Sequence, residues 1–462
     1  MKIYNTLSTK VDELQVNNNN IKIYLCGVTV YDESHIGHAR TIIIFDVLHR
    51  YLLSRHHTVT FIQNFTDIDD KIIKKANSLN KDYKEISEKF IKQYLEDASK
   101  LNVLEGVHYP KATDHISNMI ELIEYLLEKN YAYITLNGIY FEVKKFSQYG
   151  KLSKKTSESI NSGARVEIDP TKKDPLDFAL WKFSSDSPIW KSPWGAGRPG
   201  WHIECSAMAL RHLGDTIDIH GGGNDLIFPH HENEIAQSES KTGKEFAKIW
   251  MHCGMVNINS EKMSKSLGNI ISIRNAIDKW GANAIRILCL STQYSKPLEY
   301  TVSNLIESQS KWRMIEHCFY ELQFPIVDEE ETFDALKLSE NALNSVRIYI
   351  ENDFNTPSAL SEFLKFVSEL NNYATMEKIT KKISKIVFPI FNEILYIFGL
   401  RVLELSGKDV EEINDKILQR NKFRKNKEFE KADTIRIILK EKYGIALIDH
   451  KNYRTIWKKI EK

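Results

Sequence analysis

Apolar positions along this chain fall into short continuous runs separated by longer segments of helical period. Ile21 to Leu25 is a buried-strand run that passes into Cys26-Gly27-Val28-Thr29 and a polar turn. From about His38 to Ser54 the apolar positions recur with helical spacing. Thr58 to Gln63 predicts a second strand, which leads through Asn64-Phe65-Thr66-Asp67-Ile68-Asp69-Asp70 into another helix. Strand, loop and helix in this alternation predict a parallel sheet with helices on its faces. Ligands of such sheets sit beyond the carboxyl ends of the strands, where Cys26, His35 and Thr66 fall.

Between about Thr113 and Ser192 the pattern changes. A helix precedes Tyr131 to Ile134, a turn at Asn137-Gly138 and Ile139 to Val143, and the Asn-Gly pair supports a hairpin. A strand returns at Thr216 to His220, followed by Gly221-Gly222-Gly223 and a helix opening near Pro229, a residue suited to a first turn. After about Val302 long helical segments run to about Leu400, and a small basic unit closes the chain. The expected fold is α/β. It has a Rossmann-like parallel-sheet catalytic domain over residues 1–112 and 193–250, with an inserted α+β subdomain at 113–192. A loop-bearing connecting region follows at 251–301, then a helical bundle at 302–405 and a basic C-terminal unit at 406–462.

Composition narrows the class. At 462 residues the chain suffices for several domains, and 42% hydrophobic with 27% charged residues is an ordinary globular balance. Net charge is +1, so any nucleic-acid surface must be local. One such region exists: from Lys416 to Lys462 there are 15 Lys and Arg against 6 Asp and Glu, interleaved with Phe423, Phe429, Tyr443, Tyr453 and Trp457. A charge run of this kind is commonly a solvated helix face, but the aromatics favour an RNA surface. Five cysteines, Cys26, Cys205, Cys253, Cys289 and Cys318, show no framework spacing and point to a reducing compartment. The N-terminus lacks the pattern of a signal peptide, and no run approaches the roughly 20 apolar residues of a membrane span. The cytoplasm is the expected location.

Two short segments carry the chemistry. His35-Ile36-Gly37-His38 lies where a strand gives way to a helix, a position whose backbone N–H groups favour anions. Gly37 lets a nucleoside approach the backbone. Far downstream, Lys262-Met263-Ser264-Lys265-Ser266 puts two ammonium groups on a small-residue loop, and such a loop can close on a triphosphate as charge develops. Either segment alone is a weak string. Together and in this order they resemble the paired ATP motifs of class I aminoacyl-tRNA synthetases. His230 and Glu234, four residues apart, share a helix face but read equally well as a surface pair, and Cys26 and Cys205 read as core cysteines. Spacing alone does not assemble these four.

The resemblance does. Cys26 to Asp32, the histidine motif, Asn64 to Asp70, Gly200 to Ser206, His220 to Glu234 and the lysine motif are together similar to the cysteinyl-tRNA synthetases. The resemblance implies Zn²⁺ held by Cys26, Cys205, His230 and Glu234. It implies catalytic roles for His35, His38, Lys262 and Lys265, and ATP contacts from these histidines and Lys265 with Gly37, Gly222 and Asp225. Gly27, Thr66 and Trp201 are the implied cysteine-binding residues. It further implies L-cysteine, ATP with Mg²⁺ and tRNA-Cys as substrates, a monomer, and no proofreading domain, because zinc prefers a thiolate to a serine hydroxyl. Arg424, Phe429, Asp433 and Asp449 fall in the region that reads the anticodon in that family. Lys451-Asn452-Tyr453-Arg454 departs from the family's glycine-containing turn there, which leaves the anticodon contacts open.

Three other readings compete. A cysteine ligase of thiol biosynthesis, acting on an amino sugar, would share both ATP motifs and the metal set but has no use for the basic aromatic tail. A non-catalytic RNA-binding paralogue should have lost a motif residue, and none is missing. A synthetase for another amino acid such as methionine is disfavoured by Cys26, Cys205, His230 and Glu234.

Overall fold

The structure, a computed structural model, describes residues 1–16, 19–155, 169–258, 261–263, 268–326, 334–403, 405, 407–450 and 454–460. It divides into two compact units, residues 1–306 with 348–358, and 307–347 with 359–462.

The first unit is organised by four parallel strands, β3 (Asn20–Thr29), β4 (Thr58–Thr66), β9 (Ile217–Gly223) and β10 (Ala247–Cys253), in the order β10-β9-β3-β4. The strands preceding β3, β1 (Lys2–Asn5) and β2 (Lys10–Glu13), form an antiparallel hairpin. From β3 the sheet grows in one direction through β4 and in the other through β9 and β10. The crevice at such a reversal of strand order is the expected ligand position. β3 and β4 both run further than their apolar segments indicate. Among the extra residues of β3 are Val28 and Thr29, which pair with Phe65 and Thr66 across an irregularity that skips Cys26 and Gly27. This irregularity turns Cys26 out of the regular ladder at the strand's carboxyl end.

Helix α1 (Ile36–Ser54) crosses behind the sheet and is buried on nearly every face, including Arg40, Asp46, His49 and Arg50. Asp46 and Arg50 are paired in the interior. Asp46 accepts from Arg50 Nε at 2.9 Å and from Arg286 Nη2 at 2.5 Å, and its other oxygen takes the Leu104 amide at 2.7 Å. After β4 come α2 (Asp70–Leu79) and α3 (Tyr83–Lys100), capped by Asp69 and Asp82 side chains accepting from the Lys71 and Lys84 amides.

Next come helix α4 (Ile116–Glu128) and an antiparallel sheet of β5 (Ala132–Ile134), β6 (Gly138–Phe141), β7 (Phe178–Phe183) and β8 (Gly197–Pro199), in chain order. The Asn-Gly hairpin forms, with Thr135 N–H donating to Gly138 O at 2.8 Å. β8 feeds directly into α5 (Trp201–Leu213), so that subdomain delivers Trp201 and Cys205 to the parallel sheet.

Beyond β9, a short 3₁₀ turn at Asn224–Leu226 and a π-type turn at Ile227–His231 precede α6 (Glu232–Thr242). The regular helix therefore opens after Pro229 rather than at it. Phe228 is extended (φ −139°, ψ 131°), as the residue before a proline prefers. The strands β11 (Val256–Ile258) and β12 (Glu261–Lys262) pair antiparallel, and β13 (Leu298–Tyr300) joins β11 after α7 (Ile273–Trp280) and α8 (Ala282–Leu290).

The second unit is helical. It takes in most of α9 (Val302–Gln323) and α10 (Ala335–Glu351), with α11 (Thr356–Thr375) and α12 (Lys381–Phe398). It ends in α13 (Gly407–Lys425), α14 (Phe429–Tyr443) and the hairpin β14 (Ile445–Asp449) with β15 (Thr455–Lys459). These last elements close over a small core of Ile413, Ile417, Ile435, Leu439, Ile445, Leu447 and Trp457. Among the described residues no helix is long and apolar enough to cross a membrane.

Candidate metal and nucleotide site

The four residues that spacing could not assemble meet at the reversal of strand order. Cys26 lies at the end of β3, Cys205 on α5, His230 in the turn ahead of α6 and Glu234 in its first turn. Their ligating atoms all lie within 4.8 Å of one another, and every one of the four is buried. Cys26 Sγ is 3.7 Å from Cys205 Sγ and 3.2 Å from Glu234 Oε1, and His230 Nε2 is 3.1 Å from the same oxygen. A tetrahedral zinc with bonds of about 2.3 Å to sulfur and 2.0–2.1 Å to nitrogen and oxygen needs edges of about 3.3–3.8 Å. The sulfur–sulfur edge already has that length and the other two fall slightly short. A second grouping, Cys26, His220, His231 and Glu234, shares two of these residues. It contains one sulfur, whereas the first offers two sulfurs, an imidazole and a carboxylate, the donor set that suits zinc.

The electrostatics of this cluster suit a cation. Burial alone would raise the Glu234 carboxyl, but His220 and His230 hold it well below the ordinary range. Burial would lower His230, yet Glu234 and Cys205 raise it to about 10, so its proton stands where positive charge is wanted. Hydrogen bonding from Cys26 holds the Cys205 thiol down at about 6, while burial and Cys205 push Cys26 well up.

A surrounding layer orients the four. His220 Nε2–H donates to Glu234 Oε2 at 2.8 Å, and His230 Nδ1 meets His202 Nδ1 at 2.9 Å. Trp201, 40% exposed, stacks on the His230 ring at 4.3 Å. The Gly27 amide donates to Asn64 Oδ1 at 2.9 Å. Such outer partners fix the ring orientation and basicity of metal ligands.

Beside the cluster opens a cavity of about 390 Å³, lined by Cys26, Gly27, His35, Gly37, His38, Trp201, Asp225, Gly254 and Met263 among others. The two histidines of the first motif stack at 3.7 Å, and the His35 amide donates to His38 Nδ1 at 3.2 Å. Neutral His38 therefore carries its proton on Nε2. A Cβ on Gly37 would come within 3.0 Å of the His35 ring, and one on Gly222 within 2.8 Å of the His231 ring. Asp225 sits in the 3₁₀ turn after β9 and lines the cavity.

Lys262 ends strand β12, opposite Asn257. The Lys262 side chain and residues Ser264, Lys265 and Ser266 lie outside the described residues, as do Lys451 to Tyr453.

Thr66 does not stand alone. Its hydroxyl donates to Glu204 Oε2 at 2.9 Å, and Glu204 is a buried carboxyl pushed well up by burial and by Cys205. Neither Glu204 nor His220 was singled out by the sequence as a supporting residue. For Glu204 a signal existed: it is the one acid in the buried run Ile203 to Ala209. His220 gave none, since only the three-dimensional meeting of β9 with α6 pairs it with Glu234.

In the second unit Asp449 is gripped by Arg420 through both oxygens at 2.7 and 2.8 Å, and by Arg424 at 2.8 Å. Its oxygens are thus committed within the unit. Phe429, 61% exposed, and Asp433 lie one turn apart on the outer surface of α14.

Comparison with known proteins identifies the family. The family of tRNA synthetases class I (C) catalytic domains matches residues 12–310, and the DALR domain matches residues 347–402. The chain is 46% identical to the cysteine–tRNA ligase of Thermodesulfovibrio yellowstonii, with 99% of both chains covered. It is 44% identical to that of Aquifex aeolicus and 43% to that of Thermococcus kodakarensis, each over 100% of this chain and 99% of the relative. Two solved structures share the fold. One is Mycobacterium tuberculosis methionyl-tRNA synthetase in complex with methionyl-adenylate (TM-score 0.59, 14% identity, 82% of this chain and 88% of that one). The other is the Agrobacterium radiobacter K84 agnB2 LeuRS–tRNA–LeuAMS complex (TM-score 0.62, 10% identity, 82% and 84%). With relatives this similar over their whole length, and a class I synthetase catalytic-domain match over residues 12–310, the chain belongs to the cysteine–tRNA ligase family of class I tRNA synthetases.

Proposed function

We propose that this protein joins L-cysteine to the 3′ end of tRNA-Cys in two steps at the crevice between β3 and β9. The observation that carries the reading is the buried set Cys26, Cys205, His230 and Glu234, opening onto the same cavity as His35, Gly37 and His38. Zinc held by these four residues would supply a soft Lewis acid that prefers a cysteine thiolate over a serine hydroxyl. A purely apolar pocket separates such close analogues by only ~1–3 kcal/mol.

The chain's own groups orient the reactants. Trp201, stacked on His230, walls the amino-acid end of the cavity. Thr66 O–H donates to Glu204 and its oxygen takes a long hydrogen bond from Asn64 Nδ2 at 3.5 Å, which leaves one lone pair to accept from the substrate ammonium. His35, His38 and the backbone at the start of α1 face the ATP phosphates, with Mg²⁺ accompanying the nucleotide. Lys262 and Lys265 are assigned to the charge that develops as pyrophosphate leaves. The cysteine carboxylate attacks the α-phosphorus to form cysteinyl-adenylate and release pyrophosphate. A ribose hydroxyl of the tRNA terminus then attacks the carbonyl and AMP departs. No side chain becomes a covalent nucleophile; proximity and charge neutralisation lower the barrier.

The basic C-terminal region, with Arg424, Phe429 and Asp433 at its surface, is assigned to the anticodon, and Asp449 to holding Arg424 in place. Five cysteines, all free and buried, accord with a reducing cytoplasm. Charging of a tRNA-Cys transcript with labelled cysteine tests the reading. Acid-labile cysteine attached to tRNA-Cys, and not to an unrelated tRNA, supports it. Cysteine activation without any transfer to tRNA would return the amino-sugar ligase to favour.

A further inference from the structure

Two residues past His38 on α1, Arg40 is wholly buried, and among the described residues no carboxylate pairs with it. Its guanidinium instead spans two backbone segments. Nη1 donates to Gly254 O and Met255 O, both at 3.0 Å. Nη2 is shared among Gln293 O at 3.2 Å, Tyr294 O at 3.3 Å and Lys296 O at 2.5 Å. A fork of several donors with a weakly hydrated charge is the one side chain able to satisfy so many carbonyls at once.

The place of these carbonyls matters. Gly254 and Met255 line the nucleotide cavity and immediately precede β11, whose hairpin partner β12 ends at Lys262. Met263, next along, donates its amide to Val256 O at 3.3 Å. The far side of the lysine-motif loop is tied to the histidine motif separately. Ile36 N–H donates to Ile271 O at 3.0 Å, and Ile273 N–H donates to Ser34 O at 2.9 Å. Both roots of the lysine loop are thus fastened to the histidine motif, one by a backbone ladder and the other by a single buried side chain. Gly254 leaves little slack at that second root, since a Cβ there would lie 2.2 Å from Lys296 O.

Resting on the ATP-site reading above, we propose that Arg40 is a positioning residue for adenylate formation. It fixes the leading root of the lysine-motif hairpin, and with it the Gly254–Met255 wall, at the distance from His35 and His38 that the nucleotide requires. It touches no reactant. Its effect falls on ATP and not on cysteine, because the candidate metal cluster is built from β3, α5, the turn at Ile227–His231 and α6, none of which supplies a carbonyl to the guanidinium.

The test is Arg40→Lys, which keeps a charge but loses the fork, assayed by cysteine-dependent ATP–pyrophosphate exchange with zinc content and folding checked. The expected result is a rise in KM for ATP of about tenfold or a comparable fall in kcat, with KM for cysteine within twofold and zinc unchanged. ATP kinetics like those of the parent in a folded variant would overturn the proposal. So would a rise in KM for cysteine that matches the rise in KM for ATP, or a loss of bound zinc, the mark of a merely structural role. Absence of exchange in the parent protein would instead defeat the functional reading.

If Arg40→Lys does not fold, amide hydrogen exchange on the unaltered protein decides. The amides of Lys296 and Leu298 bond within the caged segments, to Gln293 O and Met255 O, and lie outside the cavity lining. ATP alone should slow their exchange several-fold. No change there would contradict the coupling.

Discussion

Gly27 holds the narrowest passage in the site: a Cβ at this position would lie 1.5 Å from Asn64 O on the neighbouring strand. Gly27→Ala therefore has to push β3 from β4 where Cys26 is presented. We expect a loss of about 3 kcal/mol or more in denaturant unfolding, together with reduced metal content. Cys205→Ser replaces a thiolate ligand by a hydroxyl that does not ionise near neutrality. It should lower bound zinc from about one per chain to a small fraction after dialysis, read by elemental analysis, while the secondary structure is retained. The four residues at the centre, and their meeting, were legible only through the family pattern, because spacing along the chain brings none of them together. Cys26 and Glu234 are 208 positions apart, and either alone reads as an ordinary core or surface residue. The supporting residues His220 and Arg40 were illegible for a related reason, since each acts through an atom supplied by a distant segment.

At the scale of elements, the alternation of apolar runs and helical spacing was enough to expect a parallel sheet, and three of its four strands lie on those runs, while β10 was not read from the sequence. What it could not give was the irregularity at Cys26–Gly27 or the extended Phe228 that delays α6, because both arise from tertiary pairing and not from periodicity. The C-terminal elements offer a test of their own. Burial would raise the Asp449 carboxyl, but hydrogen bonds from Arg420 and Thr455 and the charge of Arg424 hold it at about 2. A carboxyl lowered on folding stabilises the folded form above its unfolded value of about 3.9, and that contribution disappears as pH falls towards 2. Asp449→Asn should lower the Tm of the second unit at pH 6. The gap between variant and parent should shrink as pH drops from about 5 to 3, as followed by calorimetry. A gap independent of pH would show that the ion cluster does not tie α13 to the β14–β15 hairpin.

Across the whole molecule, a net charge of +1 conceals a strongly basic C-terminal region, distinct in sequence from residues 12–310 that match the synthetase catalytic domain. These are separable in kinetics. Phe429→Ala, at an exposed position far along the chain from both ATP motifs, should raise KM for tRNA by about tenfold, because a base stacked on an aromatic ring is worth ~1–3 kcal/mol. It should leave ATP–pyrophosphate exchange untouched. An equal loss in exchange would mean that the residue supports folding and not tRNA. The central claim is that the buried cluster of Cys26, Cys205, His230 and Glu234 holds the metal that selects cysteine for activation. Amino-acid-dependent ATP–pyrophosphate exchange, run with cysteine and with serine on zinc-loaded and zinc-stripped protein, tests it most directly. Strong exchange with cysteine alone, lost on stripping and restored by zinc, is the predicted result. Exchange with serine at a comparable rate, or cysteine-dependent exchange that persists without metal, would contradict it.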